Sequence, residues 1–247
     1  MSSAVPQKSL PLPAARPAVH RLSVIIPVYN EVNSIGQVIE QVVSIDVGIE
    51  KEIIVVDDGS TDGTGERLVD YQERGVITVH TSSRNFGKGT AIRAGLARAS
   101  GDIVLIQDAD LEYEVGDYPA LLEPFLRGDA EVVYGSRFLG SIRDMRLPNR
   151  IANYILAWSV ALLFGQRLTD EATAYKLFRT DVLRRLDLRC IGFEFCPEVT
   201  AKVLRAGHRI HEVPIRYRAR SIAEGKKVSW RDGFTAFFTL LRYRFRV

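Results

Sequence analysis

Cysteine is scarce in this 247-residue chain, which has only Cys190 and Cys196. Two thiols cannot make a disulfide scaffold, and they fit a reduced compartment. Long hydrophobic runs are also missing. The longest, Ile151 to Gly165, is broken by Asn153 and Ser159. At about 15 residues it falls short of the roughly 20 that a membrane-spanning helix needs. A net charge of +3 is too small to argue for nucleic-acid binding. Residues 1–20 are rich in Pro, Ala and Ser and lack the apolar core of a signal peptide, so a disordered leader is expected there. The remaining composition, 46% hydrophobic and 26% charged, is that of a globular protein. One domain over residues 21–247 is expected, cytoplasmic and not integral to the membrane.

Charge is unevenly spread. From Arg216 to Val247, nine Arg and Lys residues face only Glu224 and Asp232. Such a tail favours anions, either nucleotide phosphates or lipid headgroups.

The first half alternates apolar strands with helical patterns. Leu22 to Val28, Glu52 to Asp57, Val76 to His80 and Asp102 to Gln107 read as strands. Helices are expected around Ile35 to Val43, from Thr64, and over Thr90 to Ala99. Continuous apolar strands separated by helices predict an open, mostly parallel α/β sheet flanked by helices. In such sheets ligands bind outside the carboxyl ends of the strands. Pro27 to Glu31, Asp57 to Ser60, Asn85 to Gly89 and Asp108 to Glu112 all fall at that edge. Four polar segments on one edge predict a single site. The second half is more mixed. Strands are expected at Glu131 to Tyr134, Ala174 to Phe178 and Arg209 to Tyr217, with a basic loop opening at Gly135-Ser136-Arg137. Helices are expected at Asn149 to Phe164, Pro197 to Ala206 and Ser229 to Val247.

Asp108-Ala109-Asp110 carries the clearest chemistry. Two carboxylates two residues apart on an extended backbone point the same way. Magnesium is usually held by one or two carboxylates completed by substrate phosphates. His208 and His211 are excluded as a metal pair, because a spacing of three puts them on opposite faces of a strand.

These segments resemble the family-2 glycosyltransferases, whose nucleotide-sugar-binding fold is called GT-A. The matching residues are Val24 to Glu31, Val55 to Thr64, Asn85 to Gly89, Asp108 to Tyr113, Tyr134 to Phe138 and Glu212 to Ile215. The last two, with Arg220 to Lys226, are similar to the dolichyl-phosphate mannose synthase branch, which loads a sugar onto a polyprenyl phosphate. The resemblance implies that Pro27, Tyr29 and Glu31 line the base and ribose pocket, with Asp57 or Asp58 bonding the base or ribose. It implies that Lys88, Arg220 and Lys226 meet the diphosphate, beside Asp108, Ala109 and Asp110. It further implies Mg2+ or Mn2+ on Asp108 and Asp110, with Glu112 on the same side. The catalytic set it implies is Asp110, Arg137, Asp170 and Lys226, and the acceptor-phosphate candidates are Arg137, Arg146, Asn149 and Arg150.

The implied reaction is inverting transfer from GDP-mannose or a UDP-hexose to a polyprenyl phosphate. An ionised phosphate needs positioning but no general base. A sugar or protein hydroxyl would need one, and Asp170 or Glu171 stands where hydroxyl-using relatives keep it. Glu171 departs from the Met or Pro usual in the lipid-phosphate branch. A sugar nucleotidyltransferase would need a Gly/Arg-rich signature where Tyr29-Asn30-Glu31 stands. Membrane contact is expected from Ile151 to Phe164 and from the basic, aromatic stretch Phe234 to Arg246, lying on the surface of the cytoplasmic face.

Overall fold

The computed structural model describes residues 18–220 and 230–245. Residues 1–17 of the leader, and the segment 221–229 with Lys226, lie outside the described residues. The described residues form one seven-stranded sheet of β1 (Arg21–Val28), β2 (Glu50–Asp57), β3 (Thr78–Thr81), β4 (Ile103–Ile106), β5 (Val132–Arg143), β6 (Lys176–Arg179) and β7 (Ile210–Arg218). The strand order is β3-β2-β1-β4-β6-β5-β7. Only β6 runs antiparallel to its neighbours, β4 and β5.

Continuous apolar strands arise because both sheet faces are covered. In β1, β2 and β4 alternate residues enter opposite layers. Val24, Ile53 and Leu105 join one cluster, whereas Ile25, Ile54 and Val104 join the other. The first layer is closed by α1 (Ile35–Ser44), α2 (Thr64–Glu73) and α4 (Tyr118–Leu126). The second is closed by α3 (Lys88–Leu96), α5 (Leu147–Phe164), α6 (Thr180–Arg185), α7 (Phe195–Arg205) and α8 (Trp230–Phe245).

The sequence reading needs three corrections. Gly135-Ser136-Arg137 does not open a loop, because β5 continues to Arg143. Pairing with β7, Gly135 to Val213 and Ser136 to Pro214, holds this polar stretch extended. Helices α4 and α6 have no counterpart in the sequence reading. Pro119 in the first turn of α4 and Pro124 within it conceal its helical period. Finally, β4 stops at Ile106, so Asp108 and Asp110 lie on the turn beyond the strand, not on the strand itself.

Strand order turns back between β1 and β4, since β2 and β3 lie on one side of β1 and β4 on the other. Pro27 marks the opening. It lacks an N–H, and β4 pairs with β1 only as far as Ile25, opposite Ile106. Beyond that point the two strands part. Open α/β sheets bind their ligands at such a switch point.

Candidate active site

The loop after β1 is stitched to the turn after β2. Asn30 adopts a left-handed φ of 51°. Its N–H donates to Ser60 Oγ at 2.9 Å, and its Oδ1 accepts from Thr61 N at 2.8 Å. Glu31 N donates to Thr64 Oγ1 at 2.9 Å. These bonds fix Tyr29 and Glu31 at the mouth of the crevice, with Pro27 buried beneath them. The cleft there holds about 580 Å³ between Asn30, Glu31, Asp110 and Arg220.

Asp57 and Asp58 are both buried and have internal partners. Asp57 Oδ1 accepts from Ser60 N at 3.0 Å. Asp58 gathers the loop ahead of α3, accepting from Phe86 N at 3.0 Å and Gly87 N at 2.6 Å. The loop is pressed from the other side by residues 190–191. Thr90 N donates to Ile191 O at 3.0 Å. A Cβ on Gly87, whose φ is +97°, would lie 2.5 Å from Ile191 O, and one on Gly89 would lie 2.9 Å from Cys190. The glycines around Lys88 therefore serve a close backbone crossing within the protein.

That crossing delivers Lys88 to the carboxylates. Its Nζ lies 2.5 Å from Asp108 Oδ1. Burial pulls the ammonium pKa down, but the charge and hydrogen bond of Asp108, with the charges of Cys196 and Asp110, together outweigh it, and the net shift is upward. Asp110 lies 3.6 Å from the Arg220 guanidinium. Burial, then the charges of Asp108 and Glu112, push Asp110 up to about 7. A half-buried carboxylate crowded by like charges, with hard oxygen donors, suits a divalent cation completed by phosphate oxygens. Asp108 and Asp110 are the residues able to hold one. Among the described residues no three His, Cys, Asp or Glu side chains gather into a metal cage.

Glu112 is engaged elsewhere. Its Oε1 accepts from Arg220 N at 2.6 Å, and its Oε2 from the Tyr217 hydroxyl at 2.8 Å. Arg220 sends its fork to Glu31, with Nη1 to Oε2 and Nη2 to Oε1 both at 3.0 Å. Its Nε is buried with no hydrogen-bond partner among the described residues.

Arg137 and Asp170 are brought together, but inside the protein. Arg137 contacts both Asp170 oxygens at 2.7 Å and also reaches Asn153 Oδ1 at 3.0 Å. Its guanidinium lies 5.0 Å from the centre of the Tyr217 ring. Glu171 is likewise buried. It accepts from Thr200 Oγ1 at 3.2 Å, while its Oε2 has no hydrogen-bond partner among the described residues. Of the other acceptor candidates, Arg146 and Arg150 are exposed, and Asn149 O accepts from Asn153 Nδ2 at 2.7 Å. Tyr217 and Asn153 escape a sequence reading, because their partners lie 105 and 16 residues away. So does Phe193, whose ring centre lies 5.8 Å from Lys88 Nζ.

A cationic lysine and arginine thus stand beside paired carboxylates at the switch point of an open α/β sheet. The chain belongs to glycosyl transferase family 2, whose model matches residues 23–187. It is a glycosyltransferase. It is 32% identical to the undecaprenyl-phosphate mannosyltransferase of Micrococcus luteus, over 83% of this chain and 87% of that one. It is 27% identical to the dolichol-phosphate mannosyltransferase of Pyrococcus furiosus, over 83% of this chain and 59% of that longer protein. Among solved structures it is similar to glucosyl-3-phosphoglycerate synthase of Mycobacterium tuberculosis, with a TM-score of 0.70 and 25% identity, over 92% of this chain and 81% of that one. A second structure of that synthase, with Mg2+ and uridine diphosphate, has a TM-score of 0.68 and 24% identity, over 91% of this chain and 79% of that one. The shared fold is GT-A.

Proposed function

We propose that this glycosyltransferase moves a sugar from a nucleoside-diphosphate sugar to a polyprenyl phosphate, with Mg2+ or Mn2+ on Asp108 and Asp110. The observation that carries the reading is the convergence of Lys88, Asp108, Asp110 and Arg220 at the β1/β4 crevice. Tyr29 and Glu31 line the nucleoside end. Lys88 and Arg220 face the diphosphate, with Lys226 assigned beside them from the sequence motif. When bound, the cation neutralises charge growing on the leaving nucleoside diphosphate. Lys88 supplies fixed positive charge to the same oxygens, which is electrostatic stabilisation of the transition state.

The engagement of Asp170 supports this acceptor class. Both its oxygens are taken by Arg137, and Glu171 beside it is wholly buried. Neither is placed to take a proton from a hydroxyl, which supports an acceptor that arrives already ionised. Arg137 then acts as a brace behind the acceptor side, leaving Arg146 and Arg150 as the exposed cations for an acceptor phosphate. The names of the Micrococcus and Pyrococcus relatives support the same acceptor class.

No described helix is long and apolar enough to cross a membrane. The outer row of α5 nevertheless exposes Leu147, Ile151, Ile155, Trp158 and Leu162, and α8 beside it exposes Phe234 and Phe238. Arg143, Arg146 and Arg150 flank that row. Such a face suits peripheral attachment at the headgroup level of the cytoplasmic leaflet.

The test is transfer from GDP-mannose and from a panel of UDP-hexoses, with and without polyprenyl phosphate and EDTA. A phosphate-linked polyprenyl sugar that forms only with free divalent cation is expected. Glycosylation of a soluble sugar hydroxyl without lipid would overturn the reading.

A further inference from the structure

We infer that Glu198 is a positioning residue for Lys88, and that through Tyr243 it makes the donor site depend on the seating of helix α8. The inference rests on the proposed role of Lys88 at the diphosphate.

Residues 189–192, between α6 and α7, form the back wall of the Lys88 loop. Among the described residues α3 has no side-chain cap, and the first-turn N–H of Thr90 goes to Ile191 O instead. Ile191 and Cys190 press on Gly87 and Gly89, on either side of Lys88. This wall lies in neither strand nor helix, so side chains must hold it. Glu194 Oε1 accepts from Ile191 N at 2.7 Å and from Gly192 N at 3.0 Å. One turn further on, Glu198 Oε1 accepts from Arg189 N at 2.8 Å.

Glu198 differs from Glu194 in being fully buried and in reaching a second element. The oxygen that takes Arg189 N also accepts from Lys202 Nζ at 2.6 Å and from the Tyr243 hydroxyl of α8 at 2.9 Å. Burial alone would raise the Glu198 pKa, but the bonds from Lys202, Arg189 N and Tyr243 bring it below its ordinary value. The group is therefore an ionised acceptor. Burial, then the bond to Glu198, pushes the Tyr243 phenol up to about 12, so it stays a donor. Arg205 Nη1 donates to Tyr243 O at 2.7 Å, and the Tyr243 ring centre lies 4.9 Å from Lys202 Nζ. Helix α8 is thus fastened to α7 at the same carboxylate that fastens the wall behind Lys88. Its other side carries the exposed Phe234 and Phe238.

The test is binding of GDP or UDP, whichever the unmodified protein holds more tightly, followed by calorimetry at saturating Mn2+. Affinity is read apart from the number of sites, because partial unfolding lowers the second and not the first. Glu198→Ala is expected to weaken the nucleotide about tenfold and Tyr243→Phe about threefold, sizes usual for residues that act on a ligand through others. Glu198→Gln keeps an acceptor for Arg189 N and is expected to recover much of the loss. In a Lys88→Met background each substitution is expected to change affinity by less than about twofold, since the group it positions is gone. The inference falls if these losses add in full to that of Lys88→Met, or if Glu198→Ala binds as the unmodified protein does. A normal Tyr243→Phe beside a weakened Glu198→Ala overturns the dependence on α8. Should Glu198→Ala fail to fold, Tyr243→Phe decides by the same cycle. Should Lys88→Met alone bind nucleotide normally, it is the diphosphate role of Lys88 that fails.

Discussion

Arg137 and Asp170 meet through two parallel hydrogen bonds, Nε to Oδ2 and Nη2 to Oδ1, each 2.7 Å long. The carboxylate has no exposure to water. Breaking such a pair strands a buried charge, which costs about 3–5 kcal/mol. Asp170→Asn is therefore expected to lower the urea midpoint sharply. Asp110→Asn, which removes one of several crowded like charges, is expected to leave the midpoint unchanged or raise it. Equal midpoints for the two variants would contradict the buried brace.

Activity should separate the same two positions in the opposite sense. Asp110→Asn is expected to remove most sugar transfer, by about 100-fold or more, as loss of an electrostatic stabiliser does. The protein that stays folded in Asp170→Asn should keep much more. Transfer undiminished in saturating chelator would rule out the cation at Asp108 and Asp110.

Gly87 and Gly128 make a controlled comparison, because both have positive φ, +97° and +78°. A Cβ at Gly128 meets nothing within 4 Å, whereas at Gly87 it would meet Ile191 O at 2.5 Å. Both alanine variants carry backbone strain, and Gly87→Ala adds a clash worth about 1–3 kcal/mol. Thermal unfolding of the two should show Gly87→Ala markedly less stable. It should also weaken nucleotide binding, since Lys88 follows directly.

The thiols should be unreactive. Burial raises Cys196, and burial followed by the charge of Glu198 raises Cys190. A raised thiol pKa leaves little thiolate at neutral pH, and the thiolate is the nucleophile. Iodoacetamide labelling of the native protein is expected to stay slow between pH 7 and pH 9 and to become rapid in urea. Fast native labelling at pH 8 would show these sites to be open.

Trp158 offers a direct probe of membrane contact, being 67% exposed on the outer row of α5. Mixing with anionic vesicles is expected to shift its emission to the blue, and added salt should reverse the shift. Trp230→Phe keeps the signal assignable to Trp158. An unchanged spectrum, with the protein free of the vesicles, would remove α5 as the attachment face.

The parts of the fold legible in the sequence are those where burial alone decides. Strands β1, β2 and β4 announce themselves because both faces are covered, so Val24-Ile25-Ile26 and Ile53-Ile54-Val55-Val56 read as unbroken apolar runs. The outer half of β5 is different. Gly135-Ser136-Arg137 is extended because β7 pairs with it, and that partner lies nearly 80 residues on. The site follows the same division. Lys88, Asp108, Asp110 and Arg220 lie in motifs at strand ends and meet as their positions suggest. The engagement of Arg137 with Asp170, and of Glu112 with Tyr217, comes from contacts 33 and 105 residues apart that no local pattern encodes.

The reversed direction of β6 has a consequence beyond sheet geometry. A parallel strand offers the reaction edge only the chain that leaves it, as β1, β2 and β4 do. Running the other way, β6 offers the chain that enters it, so Thr169 to Thr173 arrives at the edge from below the neighbouring strands. The turn carrying Asp108 and Asp110 leaves β4, whereas the segment holding Asp170 enters β6, its neighbour in the sheet. A substitution at Asp170 therefore reaches the turn after β4 through side chains, from Arg137 to the Tyr217 ring and from the Tyr217 hydroxyl to Glu112.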